Sequence, residues 1–377
     1  MLRIILKILT FTFLFFVNPS VAQEIRRESF SIPGKGLWGN ENGNIESDFS
    51  GIKTWTPDTS GIQPSNREDY AKTVATAGGR FECRDIDGRE PSPPVIKGDI
   101  VINEVLFNPF PGGEDFVEIY NCSQKEIHAE TLYLANRDKN MKLNKIYPVT
   151  DQHFPILPHS YLAITTDKVS LDQWYIIKQP DCIIENEKMP SYNNDEGFVV
   201  LLNEDMEVID EFHYNENMHS LFLYDEEGVS LERCSFSDPS NDPDNWHSAS
   251  TSSSYGTPGY ENSQIEGDNE GAPEISFETR EFSPNSDGFN DELLIRYDLG
   301  KPGFMANIKI FDVKGRFIMH LINNEIVNTS GTISWNGEDK TGSLQLPGAY
   351  IIFIEFYNAK GEVFKFKDAA ILTGRIN

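Results

Sequence analysis

GDIVINEVLFNPFPGGEDFVEIYN, residues 98–121, is the stretch whose reading decides the fold. Residues 100–107 and 115–120 are rich in β-branched, aromatic and aliphatic side chains, and Asn108-Pro109-Phe110-Pro111-Gly112-Gly113 breaks them apart. That is the pattern of a β-hairpin. Strict alternation along the first strand puts Val101 and Val105 on one side and Ile100, Ile102 and Leu106 on the other. A strand apolar on both faces is covered on both, or covered on one and capped at an edge. The hairpin therefore predicts the opening of a β-sandwich.

Downstream, short strand-like runs recur at sandwich spacing: residues 132–135, 161–165, 198–202, 207–214 and 229–234. Residues 171–191 are less regular and read as a loop. In order along residues 96–262 stand INEVLFNP, EDFVEIYN, LPHSYLAIT, NNDEGFVVLLNEDMEVIDEFHY, SLERCSFSDPSNDPDNWHSA and GTPGYEN. This series resembles the lamin-tail domain, an Ig-like module of nuclear lamins and of many secreted bacterial proteins. The resemblance implies an Ig-like sandwich over residues 96–262, and it names no chemistry.

Residues 263–276, SQIEGDNEGAPEIS, have few apolar side chains and no period, so they read as an acidic, flexible linker. Residues 277–377 read as a second β-domain. Its strands are expected at 292–298, 306–313, 316–322, 332–335, 350–357 and 363–367, with hairpin turns at Lys314-Gly315 and Ala359-Lys360-Gly361. Ile308 and Ile310 alternate with Lys309, as on a half-buried strand. EFSPNSDGFNDELLI, IKIFDVKGR, ISWNGEDKTG and LPGAYIIFI resemble the gliding-motility-associated C-terminal domain of Bacteroidota. They are also similar to the Ig-like part of flagellar hook-scaffold proteins. The first resemblance implies a sandwich that directs export by type IX secretion. The sequence departs from that family between residues 298 and 307, where its usual motif is not visible.

The N-terminal end reads as a signal peptide over residues 1–22. Arg3 and Lys7 open it, residues 8–17 form an apolar core, and Ser20-Val21-Ala22 offers small residues for cleavage. The apolar run is short for a bilayer span, which needs roughly 20 residues. Residues 23–95 read as an irregular or partial β-segment carrying Trp38 and Trp55. Within it, DYAKTVATAGGRFECRDIDGRE resembles the start of a sugar-binding-type jelly roll, cut short by Pro91-Ser92-Pro93-Pro94. An exposed Trp there would stack on a sugar ring; the commoner place for a Trp is a core.

The chain carries 59 acidic against 32 basic residues, a formal charge of −27. Such a chain repels nucleic acid and anionic membranes, so neither is expected as a partner. Four cysteines, Cys83, Cys122, Cys182 and Cys234, lack CxxC spacing. Export permits disulfides, and three pairings of the four are open.

The best candidate ligand site is Asn285-Ser286-Asp287-Gly288-Phe289-Asn290-Asp291. Oxygen donors around a Gly wrap a hard cation such as calcium, with Asn285, Asp287 and Asp291 as side-chain ligands and the Phe289 carbonyl as another. The competing reading is an Asx-turn. Glu104, Asp115 and Glu118 on the first hairpin have the residue type for paired-carboxylate catalysis, and also for fixing a turn or a neighbouring backbone. Glu118 shares a strand face with Phe116 and Tyr120. The histidines, His128, His153, His159, His213, His219, His247 and His320, are scattered, and no HExxH, GxSxG, Walker loop or GxGxxG occurs.

The sequence thus predicts an all-β protein: two Ig-like β-sandwich domains joined by a linker. It is expected to be secreted or at the cell surface and non-enzymatic. Its expected partners are an extracellular protein or polysaccharide, and the export machinery through the C-terminal domain. The alternatives are an accessory component of a secreted hydrolase system and a structural envelope or matrix protein.

Overall fold

In the computed structural model the first hairpin forms with one irregularity that decides where its side chains go. The structure describes residues 94–267, 269 and 271–374. The expectations for residues 1–93, including the signal peptide, Trp38, Trp55 and Cys83, lie outside them. Strand β1 (Ile100–Leu106) pairs antiparallel with β2 (Phe116–Asn121), with Ile102 opposite Ile119 but Glu104 opposite Glu118. Asn103 is thus an extra residue, a β-bulge that reverses the alternation after it. Val105 joins Ile100 and Ile102 in the main core, whereas Leu106 turns to the opposite face with Phe116. The strict alternation expected from sequence is corrected on this point. Both faces of the hairpin are covered, as expected.

The first sandwich continues with β3 (Ile127–His128), β4 (Tyr133–Arg137), β5 (Leu143–Pro148), β6 (Pro155–Ile156) and β7 (Tyr161–Thr165). Helix α1 (Lys168–Trp174), β8 (Ile183–Glu185), β9 (Glu196–Leu202), β10 (Val208–Asn215), β11 (Leu231–Arg233) and β12 (Trp246–Ser248) complete it. One sheet has the order β12-β11-β1-β2-β7-β8, the other β10-β9-β4-β5, and β3 pairs with β6 alone. The core between the sheets mixes Ile100, Val117 and Ile119 from the first with Leu134, Val199 and Phe212 from the second. Trp246 is buried and stacks on Phe212, with ring centroids 3.6 Å apart.

The stretch read as a loop at 171–191 differs. It contains the end of α1 and all of β8, which runs parallel to β7. The side chain of Asp167 caps α1 by accepting from the N–H groups of Val169 and Ser170. Leu171 and Tyr175 pack with Leu106 and Phe116 on the outer face of the larger sheet.

The second sandwich comprises β13 (Glu274–Phe277), β14 (Glu281–Phe282), β15 (Leu293–Asp298), β16 (Phe304–Asp312), β17 (Phe317–Ile326), β18 (Ser330–Trp335), β19 (Gly348–Asn358) and β20 (Val363–Leu372). Its sheets have the orders β13-β15-β18 and β14-β20-β19-β16-β17. Leu293, Ile295 and Trp335 of one sheet meet Ile308, Ile310, Ile352 and Phe356 of the other in a separate core.

The linker expected over residues 263–276 is shorter than that. Gln264 is fully buried between the sandwiches: its Nε2 donates to the Val327 carbonyl at 3.0 Å and its Oε1 accepts from the Gly303 N–H at 2.9 Å. Thr329 N–H donates to the Ser263 carbonyl, and residues from Glu274 onward belong to β13. A polar side chain whose amide fits two backbone groups packs as firmly as an apolar one, and composition does not reveal it.

Candidate functional site

The hairpin carboxylates come together, and a third joins them. Glu104 is in register with Glu118 on one side and with Glu232 of β11 on the other, and all three are fully buried. A strap over residues 256–264 covers them. Ser230 hydroxyl and Thr257 N–H donate to Glu104 Oε1. The Gly259 N–H and Asn103 Nδ2 donate to Glu118. The Ser263 hydroxyl and Gln264 N–H donate to Glu232 Oε2. Burial, then the charge of Glu232, push Glu104 up to about 8. Burial, then the charge of Glu104, raise Glu118; burial raises Glu232.

Thr257 explains how the cluster is balanced. Its hydroxyl lies 3.1 Å from Glu104 Oε2 and 2.8 Å from Glu232 Oε1, yet it has one proton to give. A protonated Glu104 donates to Thr257 while Thr257 donates to Glu232. This is the chemistry of a clasp that fixes the strap. Asp115, the third sequence candidate, sits apart: its Oδ2 accepts from the Tyr192 N–H, and burial pushes it up to about 7.

The loop at 285–291 is exposed and turned inward. Asp291 accepts from the N–H groups of Asn285, Ser286 and Gly288. Asp287 accepts from the Phe289 N–H and from Asn285 Nδ2, and Asn285 Oδ1 accepts from the Asp287 N–H. The side-chain oxygens of Asn285, Asp287 and Asp291 expected to hold calcium are engaged with the loop's own donors, the arrangement of successive Asx-turns. Phe289 is exposed.

Cys122, Cys182 and Cys234 are free thiols, so no disulfide occurs among the described residues. The histidines are less scattered than they read. His128 and His153 stand edge to face with ring centroids 4.8 Å apart. His219 and His247 both line a cleft between the two sandwiches, and burial pushes each down to about 4. His159 contacts Gln124 Nε2, His213 stacks on Phe198, and His320 packs edge-on to Phe317.

That cleft has a volume of about 630 Å³. Asn215, Asp244 and His247 face it from the first sandwich, Lys301, Asn358 and Glu362 from the second. Lys360 reaches across it to Asp244 at 3.5 Å. Gly303 has φ +78°, and a Cβ there would stand 2.8 Å from the His247 ring, so the close approach needs glycine. The loop after β10 borders the cleft and carries exposed apolar side chains. Leu221 is 85% exposed, Tyr224 is fully exposed, and Phe222 leans edge-on against Tyr357 of the second sandwich. Sequence reasoning missed this site because its two walls lie about a hundred residues apart in the chain and are brought together by contacts such as those of Gln264 and the Lys360–Asp244 pair. Among the described residues, no helix is long and apolar enough to cross a membrane.

No protein-family model matches the sequence, and no curated protein is similar to it in sequence. Among solved structures, FlgD from P. aeruginosa is similar at 18% identity over 22% of this chain and 62% of that one, with a TM-score of 0.18. Dimeric latent PorU from Porphyromonas gingivalis is similar at 10% identity over 73% of this chain and 20% of that one, with a TM-score of 0.22. PorZ from the same organism, described as a surface component of the type-IX secretion system, is similar at 12% identity over 72% of this chain and 30% of that one, with a TM-score of 0.20. The chain spans less than two thirds of the length of each of these three.

Proposed function

We propose that this is a secreted or cell-surface interaction protein without enzymatic activity, and that it binds a hydroxyl-rich polysaccharide at the cleft between its sandwiches. The observation that carries the reading is a loop with exposed Leu221, Phe222 and Tyr224 that meets, at Leu221, a cleft of mixed polar and apolar lining. Amide and charged side chains such as Asn215, Asn358 and Glu362 match the hydroxyls of a sugar, while an aromatic ring offers its apolar face. An extracellular protein is the second candidate partner, since exposed apolar side chains beside a polar rim also suit a protein surface. The non-enzymatic reading is supported by the carboxylate cluster, which is sealed under the strap with its oxygens engaged.

The test is a binding isotherm on a panel of soluble and insoluble bacterial and plant polysaccharides, using the full chain and Tyr224→Ala. Saturable binding that weakens about tenfold in the variant, at unchanged melting temperature, is expected. Binding that the variant leaves intact, or no saturable binding to any glycan, overturns the polysaccharide reading. Export by the second sandwich is tested separately, by fractionating cells that make the full chain or a form ending at Ala272. Retention of the shorter form inside the cell envelope supports the sorting role, and identical placement of both forms removes it.

A further inference from the structure

Strands β3 and β6 pair with Ile127 opposite Ile156 and His128 opposite Pro155, which brings two stretches about 25 residues apart to one edge of the first sandwich. Glu130 follows on the 3₁₀ turn Ala129–Thr131, and His153 lies two residues before β6. One ligand atom from each of His128, Glu130 and His153 lies within 4.8 Å of the others. Glu130 Oε1 is 2.6 Å from His153 Nδ1 and 4.0 Å from His128 Nδ1. Both imidazoles and the carboxylate are partly open to solvent, with side-chain exposures of 18%, 40% and 27% for His128, His153 and Glu130.

We propose that His128, Glu130 and His153 form a binding site for a divalent transition-metal ion of the zinc class. Two imidazoles and one carboxylate are the donors that zinc takes at sites with a fourth, open position. Nitrogen donors disfavour calcium and magnesium, which take oxygen. The surroundings already orient the ligands. Glu130 Oε2 accepts from the Phe154 N–H at 3.0 Å, which points Oε1 at the histidines. Glu126 Oε1 stands 3.4 Å from His128 Nε2, the far side of that ring from Glu130, where an outer carboxylate fixes a metal-bound imidazole. Bonds of about 2.0–2.1 Å place tetrahedral ligands roughly 3.3 Å apart, so Glu130 Oε1 and His128 Nδ1 close in from 4.0 Å while Glu130 Oε1 and His153 Nδ1 part from 2.6 Å. His153, the most exposed of the three, sits on the segment between β5 and β6. The metal would then tie this segment to the 3₁₀ turn.

The experiment is calorimetric titration of zinc chloride into the metal-free full chain, repeated with His153→Ala and with calcium chloride present in excess. One zinc per chain is expected. Affinity should fall by more than the 10–100-fold that losing an outer-shell partner costs, and excess calcium should not compete. Absence of uptake overturns the proposal. So does unchanged affinity in His153→Ala, which would place the zinc on the acidic surface or a free thiol. Should that variant fail to fold, Glu126→Gln, at a half-exposed carboxylate, gives the same reading through an expected loss of about tenfold.

Discussion

Glu104 and Glu118 face one another on adjacent strands, fully buried, because the bulge at Asn103 turns Glu104 away from the main core onto the face that Glu118 already occupies. Three acids on one buried face cannot all ionise cheaply, and this gives stability an unusual pH dependence. Glu104 is held at about 8 against an ordinary 4.5. Below about 4.5 the group is protonated in folded and unfolded chain alike, and no charge has to be buried. Between 4.5 and about 8 the unfolded chain releases its proton while the folded one keeps it, so stability falls as pH rises. Glu118, Glu232 and Asp115 shift in the same direction, and the four together outweigh His219 and His247, which burial pushes down to about 4 and which cost stability as pH falls below 6.5. The melting temperature should therefore be higher near pH 5.5 than near pH 8. Reduced self-repulsion of a chain at −27 contributes to the same trend, so the control is Glu104→Gln. Its amide can donate to Thr257 Oγ1 as the protonated acid does, and the slope of melting temperature with pH should flatten. A slope that Glu104→Gln leaves unchanged would mean that the clasp is ionised.

The Gln264 side chain bonds both the Val327 carbonyl and the Gly303 N–H. Gln264→Ala leaves both groups without that partner, at a cost of about 2–3 kcal/mol. Calorimetry should show the second sandwich melting earlier relative to the first. Limited proteolysis of the native chain should begin just after the buried junction, next to the exposed Glu266, Gly267, Gly271 and Ala272, and spare residues 262–265. First cuts at 262–265 would contradict the buried junction.

Asp210 ties the two sheets of the first sandwich through the bulge. Its Oδ2 accepts from the Ile102 N–H at 2.8 Å and lies 3.3 Å from the buried guanidinium of Arg233. Burial, the largest influence, pulls the Arg233 pKa down, and Asp210 opposes it. Removing one partner of a buried ion pair strands the other charge, so Asp210→Ala should cost about 3–5 kcal/mol. Asp210→Asn keeps an acceptor for Ile102 and should cost less. Equal losses for the two substitutions, measured by urea unfolding, would show that the ion pair rather than the backbone contact carries the effect.

What the sequence made legible follows from which forces are local. The strands at residues 161–165 and 198–202 were readable because period-two burial and turn residues act over a few positions. The bulge at Asn103 was not, because one inserted residue leaves composition and spacing unchanged while reversing every face after it. The helix at Lys168–Trp174 hid among residues of mixed type, and its cap, Asp167, was the available signal. Glu104 and Glu118 were recognisable as a pair on the hairpin, whereas Glu232, the strap and the cleft required strand pairings across more than a hundred residues. The approach of His128 to His153 depends likewise on the two-residue pairing of β3 with β6.

The loop at 285–291 decides between two uses of the same oxygens. Asp291 holds three backbone N–H groups, and the Gly288 bond is the first of the causes that set its pKa below the ordinary carboxylate range. A bound calcium would have to displace these donors from the carboxylate oxygens it needs. The expected outcome is that calcium added to metal-free protein leaves the melting temperature of the second sandwich unchanged. Asp291→Ala, by contrast, should lower it, because Asn285, Ser286 and Gly288 lose their acceptor together. The reverse pattern, a rise with calcium that Asp291→Ala abolishes, would show that the loop opens around the ion. Asn285, Asp287 and the Phe289 carbonyl would then be its remaining ligands.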